Sequence, residues 1–316
     1  MRPPFFSVII PVYNRAGPLR EAIASVLAQT CQDFEIVVVD DGSRDDPAAT
    51  VAAFADPRIR LVRQRNQGGG AARNRAIDEA RGRFIAPLDS DDIFLSHHLA
   101  SMRDVLEGSE KMAAFARIRV DRGQGRIFLK PPRGLKAGEH MAEYLLCDRG
   151  FVPTISLAVP AGLARQVRYA DLPPAEDTDF AIRLFNLGCR FVLVEEPGAV
   201  WRDVSDPNRS SASRNAEAFR QWLDAMKPVM PGRAWHGGRG WAYAKLVSHT
   251  SLRQALRLYF QAAIRGCFPP RLVVIVLLQI VLSDAGYRRL ADRVISWLRT
   301  GHRESKRCEP KHKVPA

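Results

Sequence analysis

The sequence predicts an α/β fold: a mostly parallel sheet flanked by helices, followed by a helical C-terminal region. Short apolar runs alternate with amphipathic segments through about the first hundred residues. The runs are apolar throughout rather than every second residue, as in strands buried on both faces. After residue 217 the strand pattern stops and helical spacing takes over.

Ser7–Pro11 is the first strand. Leu19, Ile23, Val26 and Leu27 then share one helical face, and Pro18 sits near that helix's start. Glu35–Val39 (EIVVV) is a second buried strand, closed by the turn Asp40-Asp41-Gly42-Ser43. Pro47–Phe54 is a weaker helix and Ile59–Val62 a third strand. Gly68-Gly69-Gly70 leads into a helix over Ala71–Ala80, and it fits a flexible loop better than a phosphate cradle. Phe84–Leu88 is a fourth strand that runs into Asp89-Ser90-Asp91-Asp92. Beyond residue 112, Ala113–Val120 and Arg126–Leu129 pair around the Gly123–Gly125 turn. Gly138–Leu146 and Glu176–Leu187 are helices, and Ile155–Val159 and Phe191–Val194 further strands.

The expected division is a sheet domain over 1–202, a loop or linker at 203–216, a basic helical region over 217–300 and a disordered basic tail at 301–316. With 316 residues, 46% hydrophobic and 26% charged, the chain has a folded protein's composition. The net charge of +13 is unevenly placed. Residues 1–200 hold 26 basic and 26 acidic side chains, whereas 201–316 hold 21 and 8. A neutral body argues against nucleic acid as a partner, and a basic C-terminal third points to an anionic surface. The five cysteines form no CxxC pair, so free thiols are expected. Pro3, Pro4 and Pro11 bracket the N-terminal apolar run and no small-residue cleavage site follows, so no signal peptide is expected. The longest uncharged apolar run, Leu272–Ser283, has twelve residues, short of the roughly 20 that span a bilayer.

In sheets of this kind ligands bind at the carboxyl ends of the strands. Pro11-Val12-Tyr13-Asn14, Asp40-Asp41, Asn66 with the glycines, and Asp89–Asp92 all fall there. Each has a plain reading as loop or cap chemistry; four at equivalent positions are harder to read as accident. No GxGxxG follows the first strand, which disfavours a dinucleotide site.

The ordered set SVIIPVYNR, EIVVVDDGS, NQGGGAARNRAI, FIAPLDSDD and AEDTDFAIRL resembles family 2 glycosyltransferases of the GT-A fold and inverting type, over roughly residues 6–200. The resemblance implies transfer of a sugar from a UDP- or dTDP-linked donor to a hydroxyl acceptor. It further implies a glycan or lipid-linked acceptor in cell-surface polysaccharide or lipopolysaccharide synthesis. On that reading Asp91 is the main ligand of a Mg²⁺ or Mn²⁺ ion, whose hard character suits carboxylate oxygens. Asp89 and Ser90 lie on the ribose side. Pro11, Tyr13, Asn14 and Asp41 belong to the nucleotide pocket, where Tyr13 stacks on a pyrimidine and Asp41 accepts from its ring N–H. Arg73 reaches the base or diphosphate, or is a surface helix cation.

The resemblance makes Asp177 the general base, with Asp179 the runner-up. The helix start at Glu176-Asp177 is expected to keep Asp177 ionised. Family members often carry a histidine where this chain has Val204, after Trp201-Arg202-Asp203. Arg202 remains for the diphosphate, Asp203 and Asp206 are the substitutes at hand, and His236 is a distant one. That gap leaves open a second reading, a weak or inactive relative acting as a nucleotide- or glycan-binding scaffold. Tyr287, Leu290, Val294 and Leu298 share a helical face opposite Arg288, Arg289, Arg293 and Arg299. The reading is a cytoplasmic protein, peripheral on the anionic cytoplasmic membrane face, or else a small helical bundle packed on the catalytic domain.

Overall fold

The computed structural model describes residues 2–172, 175–203 and 215–291. By internal contacts the chain forms two compact units, Met1–Trp235 and His236–Ala316. The helix after 203–216 packs into the first unit. Trp222 on that helix donates its indole N–H to Asp179 at 2.9 Å.

The first unit opens with β1 (Phe6–Val12), α1 (Ala16–Leu27), β2 (Phe34–Asp40), α2 (Pro47–Ala52), β3 (Ile59–Arg63), α3 (Gly69–Glu79) and β4 (Phe84–Pro87). It continues with β5 (Ile93–Phe94), α4 (His98–Leu106), β6 (Met112–Asp121), β7 (Ile127–Lys130) and α5 (Met141–Leu146). Then come β8 (Leu157–Pro160), α6 (Ala161–Val167), α7 (Glu176–Asn186), β9 (Arg190–Arg202) and α8 (Ala216–Met226). The described strands form one sheet in the order β3-β2-β1-β4-β8-β6-β9-β5, with β7 paired on β6.

Four strands, β3, β2, β1 and β4, are parallel as expected. Every residue of β2 is buried, which is why it reads as a continuous β-branched run. The rest of the sheet is mixed: β8 is antiparallel to β4 and β6, β9 parallel to β6, and β5 antiparallel to β9. The expected β6–β7 hairpin is present.

β9 is longer than the Phe191–Val194 strand expected. Glu195-Glu196-Pro197-Gly198 resembles a strand end in sequence, but here the register slips: Val194 faces Ala116, then Pro197 faces Arg117 and Ala199 faces Ile118. A bulge absorbs the extra residues and pairing resumes. Gly198 is required there, since a Cβ would lie 2.2 Å from His98 Nδ1. The core joins Phe6, Val8 and Ile10 of β1, Leu19, Ile23 and Val26 of α1, and Ile36 and Val38 of β2 to Ala114 and Ile118 of β6.

The second unit contains α10 (Ala244–Val247), α11 (Leu252–Ile264) and α12 (Pro270–Val281); a helix at Gly232–Gly238, α9, spans the boundary. Helix resumes at 284–291. Val204, Asp206, Val294, Leu298, Arg293, Arg299, Cys308 and the 301–316 tail lie outside the described residues. Cys31, Cys147, Cys189 and Cys267 are free thiols. Among the described residues no helix is long and apolar enough to cross a membrane.

Candidate active site

The parallel register sets the geometry. Val12 pairs with Asp40 and Ile9 with Pro87, so β1, β2 and β4 release Tyr13, Asp41 and Asp89 at one edge. Pro11 pairs with Val39 inside the sheet. Tyr13 just beyond is 45% exposed, a bare aromatic ring at a strand end. Asn14 has φ 52, a left-handed conformation Asn tolerates. Its N–H donates to Ser43 Oγ at 3.0 Å and its Oδ1 accepts from the Arg44 N–H at 2.8 Å. Asn14 therefore ties the β1 loop to the β2 turn.

Asp41 is buried and heavily used. Its Oδ1 accepts from Gln64 Nε2 at 2.8 Å and the Gln67 N–H at 2.9 Å, and its Oδ2 from the Gly68 N–H at 2.9 Å. It orders the loop that leads to the glycines. Asp40 serves the turn, accepting from the Ser43 N–H and pairing with Arg63. The glycines are not a flexible loop. Gly68 has φ +89, and Gly69 and Gly70 form the first turn of α3. A Cβ on Gly70 would meet the Ala170 carbonyl at 3.1 Å, so glycine lets α3 approach the segment before α7.

Arg73 is buried rather than on the surface. Its Nη2 donates to Asp89 at 2.7 Å and its Nη1 to Glu176 at 2.5 Å, while its guanidinium lies 5.4 Å from the Tyr169 ring. Burial opposes this charge, but Asp89, Glu176 and Asp177 hold it firmly protonated. Asn74 pins the same segment, donating to the Tyr169 carbonyl and accepting from the Tyr169 N–H, each at 2.8 Å. Tyr169 in turn stacks on Phe180 of α7 at 4.1 Å.

Within Asp89-Ser90-Asp91-Asp92, Asp91 pairs with Arg15 at 2.7 Å and remains 22% exposed. Ser90 is buried. Asp92 is buried and accepts from the Arg202 N–H at 2.9 Å, joining the acidic loop to the end of β9. The Arg202 side chain is half-exposed and pairs with Glu21 of α1.

Asp177 sits in the first turn of α7. Its Oδ1 is shut off from solvent and has no hydrogen-bond partner. The helix start does not hold its pKa at the ordinary carboxylate value: burial pushes it up to about 6. Arg73 and a hydrogen bond from Thr154 pull it down, and Glu176 and Asp89 push it up. Desolvation outweighs the helix terminus because the charged oxygen is sealed from water. Asp179 is otherwise engaged, paired with Arg183 and accepting from Trp222, and is fully buried. Asp203 is likewise buried, paired with Arg122 at 3.1 Å, so it is not a spare ligand. His236 falls in the second unit.

Sequence reasoning missed Arg15, Tyr169, Thr154 and the role of Glu176. Arg15 had a signal, since it follows Tyr13-Asn14 directly; Thr154 and Tyr169 carry none.

Among the described residues no group of three or more His, Cys, Asp or Glu side chains could hold a metal ion. The part-exposed carboxylate of Asp91 is a hard oxygen donor of the kind a divalent cation with other oxygen ligands would accept, and such a cation would displace Arg15 from it.

Residues 7–154 match the family model described as glycosyl transferase family 2. The amylovoran biosynthesis glycosyltransferase AmsB of Erwinia amylovora is 28% identical over 239 residues, covering 72% of this chain and 79% of that protein. The succinoglycan biosynthesis protein ExoO of Rhizobium meliloti is 46% identical over 119 residues, 37% of this chain and 33% of that one. Among solved structures, S. aureus TarS 1–349 in complex with UDP-GlcNAc has a TM-score of 0.62 at 18% identity, covering 92% of this chain and 91% of that chain. The Pyrobaculum calidifontis mannosyltransferase PcManGT, in complex with GDP-Man and Mn²⁺, has 0.52 at 17% identity, covering 90% and 89%. At these identities the structural likeness is one of fold.

Proposed function

Because residues 7–154 belong to glycosyl transferase family 2, we propose that this chain moves a sugar from a UDP- or dTDP-linked donor to a hydroxyl acceptor with inversion. The observation that carries the reading is the convergence on Arg73. It joins the acidic loop after β4, through Asp89, to Glu176 beside the buried Asp177. Donor-side and base-side carboxylates are thereby locked into one cluster.

The nucleotide half would lie at the ends of β1 and β2, with the exposed Tyr13 ring as a stacking face. Asp41 keeps the adjoining loop in place and has one acceptor site left, on Oδ2, for a ring N–H. UDP- and GDP-linked sugars are bound by TarS and PcManGT respectively; here an acceptor at Asp41 favours uracil or thymine over cytosine, which lacks the ring N–H, and the pyrimidine itself rests on the family resemblance. Mg²⁺ or Mn²⁺, held by Asp91, would supply positive charge against the donor diphosphate. Arg202, half-exposed at the end of β9, would add to that charge on leaving Glu21.

Asp177 takes the proton of the acceptor hydroxyl. The freed oxygen attacks the anomeric carbon as the bond to the diphosphate oxygen breaks, and the nucleoside diphosphate leaves with that electron pair. A pKa near 6 suits a base working at neutral pH: mostly ionised, yet basic enough to gain a proton. One base and one displacement give inversion, by the logic that separates inverting from retaining glycosidases. The acceptor is a glycan or a lipid-linked acceptor, in keeping with the amylovoran and succinoglycan biosynthesis named for AmsB and ExoO.

A thermal-shift panel of nucleotide-sugars with Mn²⁺ tests the donor reading. The matching donor at about 100 times its Kd raises stability by ~2.7 kcal/mol. In Asp91→Ala the Mn²⁺-dependent part of the shift and of donor hydrolysis should disappear. Unchanged behaviour would refute the metal assignment, and a shift without any hydrolysis would favour the scaffold reading.

A further inference from the structure

The second unit carries a surface that the transfer reaction does not use. α11 and α12 are joined by residues 265–269 and packed together, with Tyr259 Oη donating to the Val273 carbonyl at 2.8 Å. Their inward faces are buried: Ala255, Leu258, Tyr259 and Ala262 on α11, Leu272, Val276 and Ile280 on α12. Their outward faces mix arginine with large apolar side chains. On α11, Arg253, Arg257, Phe260 and Ile264 follow one another at helical spacing and all are exposed, Phe260 at 51% and Ile264 at 84%. On α12, Arg271, Val274 and Val281 do the same, with Val274 at 60%. Arg265 stands exposed at the junction.

Each outward stripe thus starts with arginine and ends apolar. No Asp or Glu occurs anywhere between Asp224 and Asp284. A surface helix in water normally offsets its cations with acids and keeps large aliphatics inside. Exposed Phe, Ile and Val beside arginines, on helices that carry no Asp or Glu, are the composition of a helix lying in a lipid headgroup layer. There the apolar side chains enter the acyl boundary and the arginines reach anionic headgroups.

We propose that the outward face of the α11–α12 hairpin is a docking surface for an anionic lipid bilayer, with Phe260, Ile264 and Val274 entering it and Arg253, Arg257, Arg265 and Arg271 binding headgroup phosphates. A second copy of the chain is the poorer occupant, since like-charged faces repel. Neither helix is long and apolar enough to span, and the hairpin docks on the surface. This surface is distinct from the amphipathic stripe beginning at Tyr287, and the inference is independent of the sugar-transfer reading.

The test is co-sedimentation of the full chain with phosphatidylcholine vesicles with and without phosphatidylglycerol. Binding should need phosphatidylglycerol and weaken with added salt. Phe260→Asp with Ile264→Asp should lower the partition coefficient by more than about tenfold. Each of Arg257→Gln and Arg271→Gln should lower it by roughly fivefold. These side chains are exposed, so melting temperature and nucleotide-induced thermal shift should stay as in the parent chain. That separates loss of docking from loss of fold or of the donor site. The proposal is overturned if the chain ignores anionic vesicles or binds neutral ones equally. It is also overturned if binding survives the Phe260/Ile264 change while being lost in Arg288→Gln with Arg289→Gln, or if the Phe260/Ile264 change abolishes a dimer instead.

Discussion

Arg73 on α3 meets Glu176 at the start of α7 with 2.5 Å between Nη1 and Oε1, across 103 positions of sequence. The second guanidinium nitrogen holds Asp89. This buried cation offsets three carboxylates, the third being Asp177, whose pKa it lowers against the pull of burial.

Arg73→Ala should therefore do two things. Leaving buried carboxylates without their cation should cost ~3–5 kcal/mol in a denaturant melt. It should also raise the pKa of Asp177, so the acid limb of the transfer–pH profile, expected near pH 6 in the parent chain, moves to higher pH. Arg73→Lys keeps the charge and should keep the limb nearer its place. A limb that stays put in Arg73→Ala would separate Arg73 from the base.

Asp41→Asn tests the loop after β3. The carboxylate accepts three donors from Gln64, Gln67 and Gly68; an amide replaces one acceptor oxygen by a second donor. The expected loss is ~1–3 kcal/mol in urea unfolding, with weaker UDP binding by titration calorimetry. Full stability with weakened UDP binding would assign the carboxylate to the nucleotide alone.

His98 gives a pH prediction. It is fully buried, neither ring nitrogen has a partner, and burial followed by the nearby His97 lowers its pKa to about 3. The unfolded chain protonates it near its ordinary value of about 6.5. Stability is therefore complete above that value and falls as pH drops from there toward about 3. The loss by pH 5 is roughly 2 kcal/mol. His98→Leu, similar in volume, should be at least as stable at neutral pH and lack this part of the acid loss. Equal slopes for the two proteins between neutral pH and pH 5 would contradict it.

Which parts of this were legible follows from where the partners lie. The parallel half of the sheet was readable because β1, β2 and β4 are buried on both faces and their ends carry polar residues in plain order. The mixed half was not. β5 has two residues, and β9 hides a bulge at Glu195–Gly198 that reads as a strand end. Asp177 and Asp179 are two positions apart and alike in sequence. Only packing separates them, because Trp222 and Arg183 close around Asp179. Arg73 was legible as a cation near the site, but its burial depends on Tyr169 and Glu176, about a hundred residues downstream.

The central claim is that Asp177 accepts the acceptor's proton, and single-turnover transfer by Asp177→Asn tests it most directly. Asparagine keeps the size and the place in α7 but cannot take the proton. Donor binding should stay within about twofold of the parent chain, and the transfer rate should fall by ~10²-fold or more, the scale of a general base. Transfer at the parent rate by this variant, with donor binding intact, would contradict it.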